Sequence, residues 1–358
     1  MKKRFVIAVL LFLLDVLAMF FFRRFPSVFF PWYRSFSKAW ISFLSGLYSF
    51  VPAAVWDIGA LLLILILLFS IIYMIIKKKS FFQWFSYALL VVSVGVFIAI
   101  GGWMLNHYAA PLSEEIGLEV KEYSVEELYE STEYYLLKAS EYSTLIERDE
   151  DYHARRQDFE ELSVIAGSSY LDLSEKYPVF KGSSRPVKKF SLIGEYLLYN
   201  GIIGMFMPVT GEAGVPYNVP ILPLPFTMCH EAAHRLGIAS EQEANFCAFL
   251  ACISSNDERF LYSGYYSAFS YCFSSLYAAD QEKALELYET HKEDPSVQLI
   301  FLDRKDTRDA YSRYDSPLQE ISDDINDTYL KTFSQESGIR SYGEVTDYLI
   351  AWYLQEIQ

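Results

Sequence analysis

The sequence has few of the residues that define several common classes of site. Its four cysteines include no Cys-x-x-Cys pair, which argues against a thiolate zinc site and against a thioredoxin-like redox motif. We interpret all four as small buried hydrophobic side chains: Cys229, Cys247, Cys252 and Cys272. The chain also has no internal repeat and no low-complexity linker, which argues against a repeat array.

Acidic residues are almost absent from the first 107 residues, where only Asp15 and Asp57 accompany ten lysines and arginines. This part has a net charge of +8, whereas residues 108–358 have a net charge of −23. The shift indicates a boundary near residue 108. The acidic second part argues against binding nucleic acid or anionic lipid through its surface field, and solubility is the simpler explanation of its charge.

Three long apolar runs predict membrane-spanning helices at about residues 5–22, 58–76 and 85–105. At ~1.5 Å per residue the first run is about 27 Å long, which suffices for a hydrocarbon core ~30 Å thick. A signal peptide is the weaker interpretation, because Asp15 interrupts the run and arginines end it. We therefore predict a membrane domain at residues 1–107 with three N-terminal transmembrane helices.

Lysines and arginines near the ends of these runs predict the orientation. Three basic residues precede the first run and lysines 77–79 separate the second from the third, whereas the 23–55 loop has only scattered ones. The positive-inside rule then places the N-terminus in the cytoplasm and residues 108–358 outside it. The aromatic segment 27–53 is either an amphipathic helix on the outer interface or a helix that caps the spans.

Residues 108–358 show helical spacing of apolar side chains over most of their length. The predicted helices lie at residues 121–150, 155–177, 258–292, 319–334 and 342–355. Segment 215–225 contains four prolines, and the missing N–H donors exclude a central strand. We predict an extended edge strand or a polyproline-like run there, and an edge strand would pair with an extended substrate.

The residues with the clearest chemistry are His230, Glu231 and His234, which form an HExxH motif at the start of a predicted helix. Two histidines four residues apart lie on one helical face and can present ring nitrogens to one ion, while the glutamate faces the metal's water. A surface cluster is the simpler alternative, but Ala232 and Ala233 indicate a packed helix, where two unligated neutral histidines would be costly. We predict a Zn²⁺ site.

A catalytic zinc requires a third protein ligand, and two glutamates compete for this role. Gly237 ends the first helix and Ser240 begins the next. Ser240 and Glu243 fit a capping box, which gives Glu243 a supporting role beside the site. Glu241 and Asn245 share a helical face, so we predict Glu241 as the ligand and Asn245 as the residue that orients a ligand histidine.

These motifs resemble those of the gluzincin metallopeptidases, whose second motif is a glutamate followed by a small residue and Asp or Asn, as in Glu241, Ala244 and Asn245. Residues 241–248 are also similar to the ExEANxFA run of ImmA/IrrE-type peptidases. Nearly the whole chain resembles a bacterial membrane-protein family known only as a domain of unknown function. The resemblance lies in the order of its features: the spans, residues 208–213, the two motifs, residues 262–265 and residues 341–342. The resemblance implies a zincin-like fold, a peptidase and a location in the bacterial cell membrane.

In such a site the zinc lowers the pKa of its bound water toward ~7, and Glu231 takes the proton as general base. A second group usually stabilises the oxyanion. Tyr262 and Tyr265 are candidates by position, although a role in the core is the simpler one for both. Glu212 is either a group that binds a substrate amine or a turn carboxylate.

The sequence thus predicts a mainly α protein, with an extracytoplasmic α+β zincin-like metallohydrolase domain at residues 108–358 that hydrolyses peptide or protein substrates. The alternative is a non-catalytic, zinc-stabilised membrane receptor or scaffold. Glu231 favours the enzyme, because a structural zinc needs no base. An intramembrane protease is less consistent, since the HExxH motif lies more than a hundred residues beyond the last apolar run.

Overall fold

The computed structural model describes residues 1–51, 53–333 and 344–358, and it begins with four long helices. These are α1 (Lys2–Arg24), α2 (Pro26–Leu47), α3 (Val55–Ile76) and α4 (Phe81–Gly102). Helices α1, α3 and α4 are long and apolar enough to cross a membrane, which supports the three predicted spans and indicates membrane association. The third ends at Gly102 and not at residue 105, because Met104–Tyr108 forms a separate 3-10 helix, which we name the exit turn.

Helices α1 and α4 lie side by side and run in the same direction. The rings of Phe5 and Phe85 are 6.2 Å apart near the two starts, and Phe22 and Ile100 share a buried cluster near the two ends. Helix α3 therefore runs in the opposite direction. The N-terminus and lysines 77–79 lie at one end of these helices, and the rest of the chain lies at the other.

Helix α2 lies between the spans and the remainder of the chain. On one side Ile41 and Leu44 join the main core, and Lys38 Nζ donates to the carbonyl oxygen of Lys181 at 2.9 Å. The opposite side exposes large apolar residues, namely Val28, Trp32, Phe36, Phe43 and Leu47. Each interpretation of segment 27–53 thus describes one side of α2: one side packs as a cap, and the other is the apolar side of an amphipathic helix.

The rest of the chain is mainly helical, as predicted, with one small sheet. Its described helices are α5 (Leu112–Ile116), α6 (Val125–Ser143), α7 (Phe159–Ser168), α8 (Leu171–Lys176), α9 (Gly194–Tyr199), α10 (Leu224–Arg235), α11 (Glu241–Ile253), α12 (Glu258–Ala279), α13 (Gln281–His291), α14 (Pro295–Ser312), α15 (Leu318–Thr332) and α16 (Val345–Glu356). The strands are β1 (Lys188–Phe190), β2 (Met205–Met207) and β3 (Glu212–Pro216).

The predicted helices correspond to observed ones with more interruptions. Segment 258–292 is divided because Asp280 caps α13, accepting a hydrogen bond from the backbone N–H of Lys283. Segment 155–177 contains α7 and α8, and segment 319–334 contains α15. Helix α16 covers most of segment 342–355, whose residues 342–343 lie outside the described residues. The zincin-like α+β character stays a prediction.

The sheet has the order β1-β3-β2, with β1 parallel and β2 antiparallel to β3. The prediction of an edge strand in segment 215–225 is therefore wrong, because Val215 and Pro216 belong to the central strand. Pro216 is tolerated because it is the last residue of β3. The edge strand next to the site described below is β2.

Two buried carboxylates fasten the start of α3 to this sheet region. Asp57 accepts hydrogen bonds from the N–H groups of residues 191–193, each at 2.8 Å. Glu212 accepts from the N–H groups of Val55 and Trp56 at 2.9 and 3.0 Å. Glu212 thus has a structural role at the N-terminus of α3, where a negative charge is favourable.

The main core crosses the charge boundary at residue 108. It includes Leu136 of α6, Phe249 of α11 and Phe269 of α12, together with Ile41 and Trp103 from the first 107 residues. Residues 108–358 therefore do not enclose this core by themselves.

Candidate metal centre

Helix α10 carries the HExxH motif, and the local sequence explains both its ends. Pro223 precedes the helix and Pro225 lies in its first turn, where a missing N–H costs nothing. All its residues are buried. Gly237 follows with a φ of +89°, the left-handed conformation that commonly ends helices. The chain then turns directly into α11, which begins at Glu241, because only six residues separate His234 from Glu241.

The three predicted ligands come together at this turn. The Nε2 atoms of His230 and His234 are 3.0 Å apart, and Glu241 Oε2 lies 3.2 Å from the first and 3.5 Å from the second. Ligand atoms held at 2.0–2.2 Å in a tetrahedral arrangement are about 3.3 Å apart. The separations therefore fit a tetrahedral zinc ion.

Hydrogen bonds on the far side of each ring fix which nitrogen faces the centre. His230 Nδ1 donates to Asn245 Oδ1 at 2.8 Å, and His234 Nδ1 donates to the carbonyl oxygen of Ile238 at 2.7 Å. In the neutral rings both Nε2 lone pairs then point at the centre, beside the Glu241 carboxylate. Three converging acceptors in a buried space require a cation. Asn245 contacts a ligand histidine, as predicted. The role of the Ile238 carbonyl as the partner of His234 could not be predicted from a pattern of side chains, because it is a main-chain group.

The electrostatics of the trio also favour a cation. Burial lowers the pKa of His234, but the carboxylates of Glu241 and Glu231 raise it more, to about 9. Burial raises the pKa of Glu241, but the two imidazoles hold it well below its usual range. A positive charge is therefore strongly held here, as a proton in the metal-free protein or as a metal ion.

Glu231 lies beside the trio and is not part of it. Its carboxylate faces Gly204, where a Cβ atom would collide with it. Its Oε2 atom is buried and has no hydrogen-bond partner among the described residues. Burial raises the pKa of Glu231 to about 7. A carboxylate whose Oε2 atom has no partner among the described residues, and which is not among the three ligands, is available to exchange protons with a reacting group.

The four groups open into a cavity of about 980 Å³. One wall is the edge strand β2 with residues 202–204, another is formed by the tyrosines of α12, α14 and α15, and a third is the exit turn. The side chains of these walls include Trp103, Met104, His107, Ile202, Met205, Tyr266, Tyr271, Tyr311, Asp323 and Tyr329. The described lining contains no lysine and no arginine.

Tyr262 does not reach this cavity, so its assignment as oxyanion donor is corrected. It is buried, and its hydroxyl donates to Asp303, which also pairs with both terminal nitrogens of Arg148 at 2.9 and 2.8 Å. Tyr265 stacks on Tyr142, with ring centres 5.8 Å apart. Both tyrosines lie on sides of α12 that face other helices, and Tyr266 is the residue of this turn that lines the cavity.

Sequence reasoning missed the tyrosines of the wall and His107. Because the chain has 28 tyrosines, a tyrosine at a given position does not by itself indicate a functional site. His107 Nε2 and the Tyr329 hydroxyl are 2.9 Å apart, although they are far apart in the sequence. Burial lowers the pKa of His107 to about 3, so this ring is neutral.

The predicted capping box at the start of α11 is wrong. The side chain of Ser240 makes no capping hydrogen bond. Glu243 instead accepts from the N–H of Leu112 at 2.7 Å and from the Tyr348 hydroxyl at 3.3 Å. The N–H of Leu112, at the start of α5, is buried and has no partner within its own helix. It therefore competes for the Glu243 carboxylate more strongly than the partly exposed Ser240 does. Glu243 has a structural role, but it supports α5 and not the ligands.

The four cysteines are buried and unpaired, which confirms their interpretation as small core side chains. Nothing about their arrangement suggests a metal or redox role.

Comparison with known proteins gives a family and no activity. No curated protein and no solved structure matches the chain. One family does match, and the matched residues extend from α2 into α16. They include the HExxH helix and all three walls of the cavity. The chain belongs to the family described as "Protein of unknown function (DUF3810)", which matches residues 32–350.

Proposed function

We propose that this protein is a membrane-anchored, zinc-dependent metallopeptidase whose catalytic part lies outside the cytoplasm of a bacterial cell. The observation that carries the proposal is the convergence of three ligand atoms from His230, His234 and Glu241 beside Glu231, whose Oε2 atom is buried without a partner among the described residues. A zinc held by three protein ligands keeps a fourth position for water, which is the arrangement of catalytic sites.

Each residue has a defined role in this proposal. When bound, zinc supplies a water of lowered pKa and a positive charge for the developing oxyanion. Asn245 and the carbonyl of Ile238 hold the two imidazoles in the tautomer that binds metal. Glu231 accepts the proton of the attacking water and passes it to the leaving amine.

The cavity lining favours a neutral amide over a phosphate ester. Phosphate groups are usually bound by arginine or lysine, and the described lining has neither, while Glu231, Glu241 and Asp323 make it acidic. The strand β2 pairs with β3 along one edge, and residues 204–207 border the cavity. An extended peptide can add to such an edge through main-chain hydrogen bonds.

A non-catalytic, zinc-stabilised receptor or scaffold is the alternative. A structural zinc usually has a fourth protein ligand, and Glu231 is not among the group that the structure brings together. The position of this carboxylate favours the enzyme.

The test uses the full-length protein in detergent, loaded with zinc, and a randomised peptide mixture whose products are identified by mass spectrometry. We expect cleavage by the unmodified protein and none by Glu231→Gln, which keeps the size of the side chain and the bound zinc but cannot act as a base. Full zinc content without cleavage by the unmodified protein would favour the scaffold.

A further inference from the structure

We propose that the substrate is a membrane-anchored polypeptide, cleaved in the segment that adjoins its own membrane span. This inference rests on the proposed function, since it names the substrate class of the same site. The feature that carries it is the position of the cavity between the ends of two membrane helices.

The end of α4 forms one side of the cavity. Trp103, Met104 and His107 directly follow this helix and line the cavity wall. The indole N–H of Trp103 donates to the main-chain oxygen of His234 at 2.8 Å, and the two rings are 6.0 Å apart. Helix α4 has 22 residues, or about 33 Å at ~1.5 Å per residue, which matches a hydrocarbon core of ~30 Å. The metal centre therefore lies at the depth of the lipid headgroups.

The start of α3 supports the other side of the cavity. Ile202 and Met205 line the cavity, and both pack against a small cluster that includes Ala54. Trp56, in the first turn of α3, packs against the same cluster. A chain that leaves the bilayer between α3 and α4 thus reaches the cavity from its membrane side.

Helix α3 leaves room for such a chain. Of its residues only Asp57 is buried, so the other helices of the described chain do not enclose it. A hydrogen bond from Trp84 Nε1 to Ser70 Oγ, at 3.0 Å, joins α3 and α4 near lysines 77–79, at the end away from the cavity. The exposed side chains of α3 are apolar along the length of this candidate membrane span, and an apolar surface of this kind suits contact with the span of a substrate.

Helix α2 keeps the cavity at this depth. Its buried side packs on the core that contains α10, and its opposite side exposes Trp32, Phe36 and Phe43. Aromatic residues on an exposed helical face insert into the headgroup region of a bilayer. The centre is thus held at the membrane surface from two sides, by α2 and by the exit turn.

The experiment compares matched substrates with the full-length, zinc-loaded protein in phosphatidylcholine vesicles. The probes are randomised peptides, either free or joined to a Leu/Ala span of about 20 residues. The anchored probes have no spacer, or a Gly/Ser spacer of about 10 or about 30 residues before the randomised part. Mass spectrometry gives both the rate of cleavage and its position.

We expect the anchored probe without a spacer to be cleaved fastest, within about ten residues of the span, because each extended residue reaches only ~3.5 Å. The rate should fall about fivefold or more with the longest spacer, as effective concentration falls with linker length. Equal cleavage of free and anchored probes, or no effect of the spacer, would overturn this inference and uphold the peptidase. Absence of cleavage of every probe would overturn both.

A binding readout separates recognition from turnover. In the Glu231→Gln protein, a photoreactive phenylalanine replaces either Ile203, which lines the cavity, or Leu145, which is exposed outside it. Cross-linking at position 203 to the anchored probe without a spacer, and not at position 145, supports the proposal. Equal cross-linking at 203 by free and anchored probes contradicts it.

Discussion

The indole of Trp103, the first residue after the candidate membrane helix α4, donates a hydrogen bond to the carbonyl oxygen of His234, a residue of the candidate metal-binding trio, at 2.8 Å. This carbonyl lies in the last turn of α10 and also accepts a hydrogen bond from the N–H of Gly237 at 3.0 Å, so the indole is an additional donor to it. It connects the end of α4 directly to the candidate metal centre.

We expect Trp103→Phe to lower the free energy of unfolding by about 0.5–1.5 kcal/mol, because the His234 carbonyl loses the indole donor but keeps the N–H of Gly237, and most of the packing is kept. Denaturant unfolding in detergent measures this. Trp84→Phe is the matched control, since it removes an indole hydrogen bond within the membrane helices. Trp103→Phe should also weaken zinc binding and Trp84→Phe should not; equal effects on zinc would contradict the connection.

The two glutamates of α11 should separate in a zinc competition assay. Glu241→Gln replaces a charged ligand and should weaken zinc binding by about one to two orders of magnitude or more, and His230→Ala and His234→Ala should lose the metal. Glu243→Gln keeps an acceptor for the N–H of Leu112, so its zinc affinity should be nearly unchanged. Loss of zinc in Glu243→Gln with retention in Glu241→Gln would reverse the ligand assignment.

Asn245 should act through the tautomer of His230. Asn245→Leu removes the acceptor at Nδ1 and should weaken zinc binding about 10–100-fold, whereas Asn245→Asp retains the acceptor and should retain the metal. Isothermal titration with zinc compares the two variants. Similar affinities would show that the hydrogen bond does not orient the ligand.

The stability of the protein should depend on pH with opposite signs in the presence and absence of metal. The pKa of His234 rises from 6.5 to about 9 on folding. In chelator-treated protein, the stabilisation that the protonated His234 gives to the folded state is therefore complete below pH 6.5 and is lost as the pH rises through 9. With zinc, higher pH removes the competing proton and stability rises. Thermal unfolding between these pH values, with zinc or with EDTA, tests both signs. Glu241→Gln should flatten the dependence in EDTA.

The orientation can be tested by reporter fusion. Basic residues near the spans predict that residues after 108 lie outside the cytoplasm. Alkaline phosphatase fused after residue 120 should be active, and a cytoplasmic reporter at the same point should be inactive. The reverse result would place the metal centre in the cytoplasm.

The sequence predicted well what depends on local spacing. The membrane spans followed from the length of the apolar runs, and the trio followed from the positions of His230, His234 and Glu241 on two consecutive helices. Asn245 followed in the same way, one turn beyond Glu241 on the same face.

The wrong predictions for Glu243 and Tyr262 both concern partners that are distant in the sequence. Glu243 has a suitable local partner in Ser240 but pairs with Leu112, and Tyr262 pairs with Asp303. The role of Trp103 had no local signal, because its partner lies 131 residues away. Such competition is decided by the packing of segments and cannot be inferred from spacing along one of them.

The two carboxylates at the start of α3 have a mechanical consequence. Asp57 and Glu212 fasten α3 to the sheet side of the cavity, while Trp103, at the end of α4, bonds to His234 of α10 and packs on Phe206 of β2. Apolar helices tilt when the bilayer is thinner than their length. We therefore expect a change in bilayer thickness that tilts α3 to move the sheet side of the cavity as well, so that the width of the cavity depends on lipid composition.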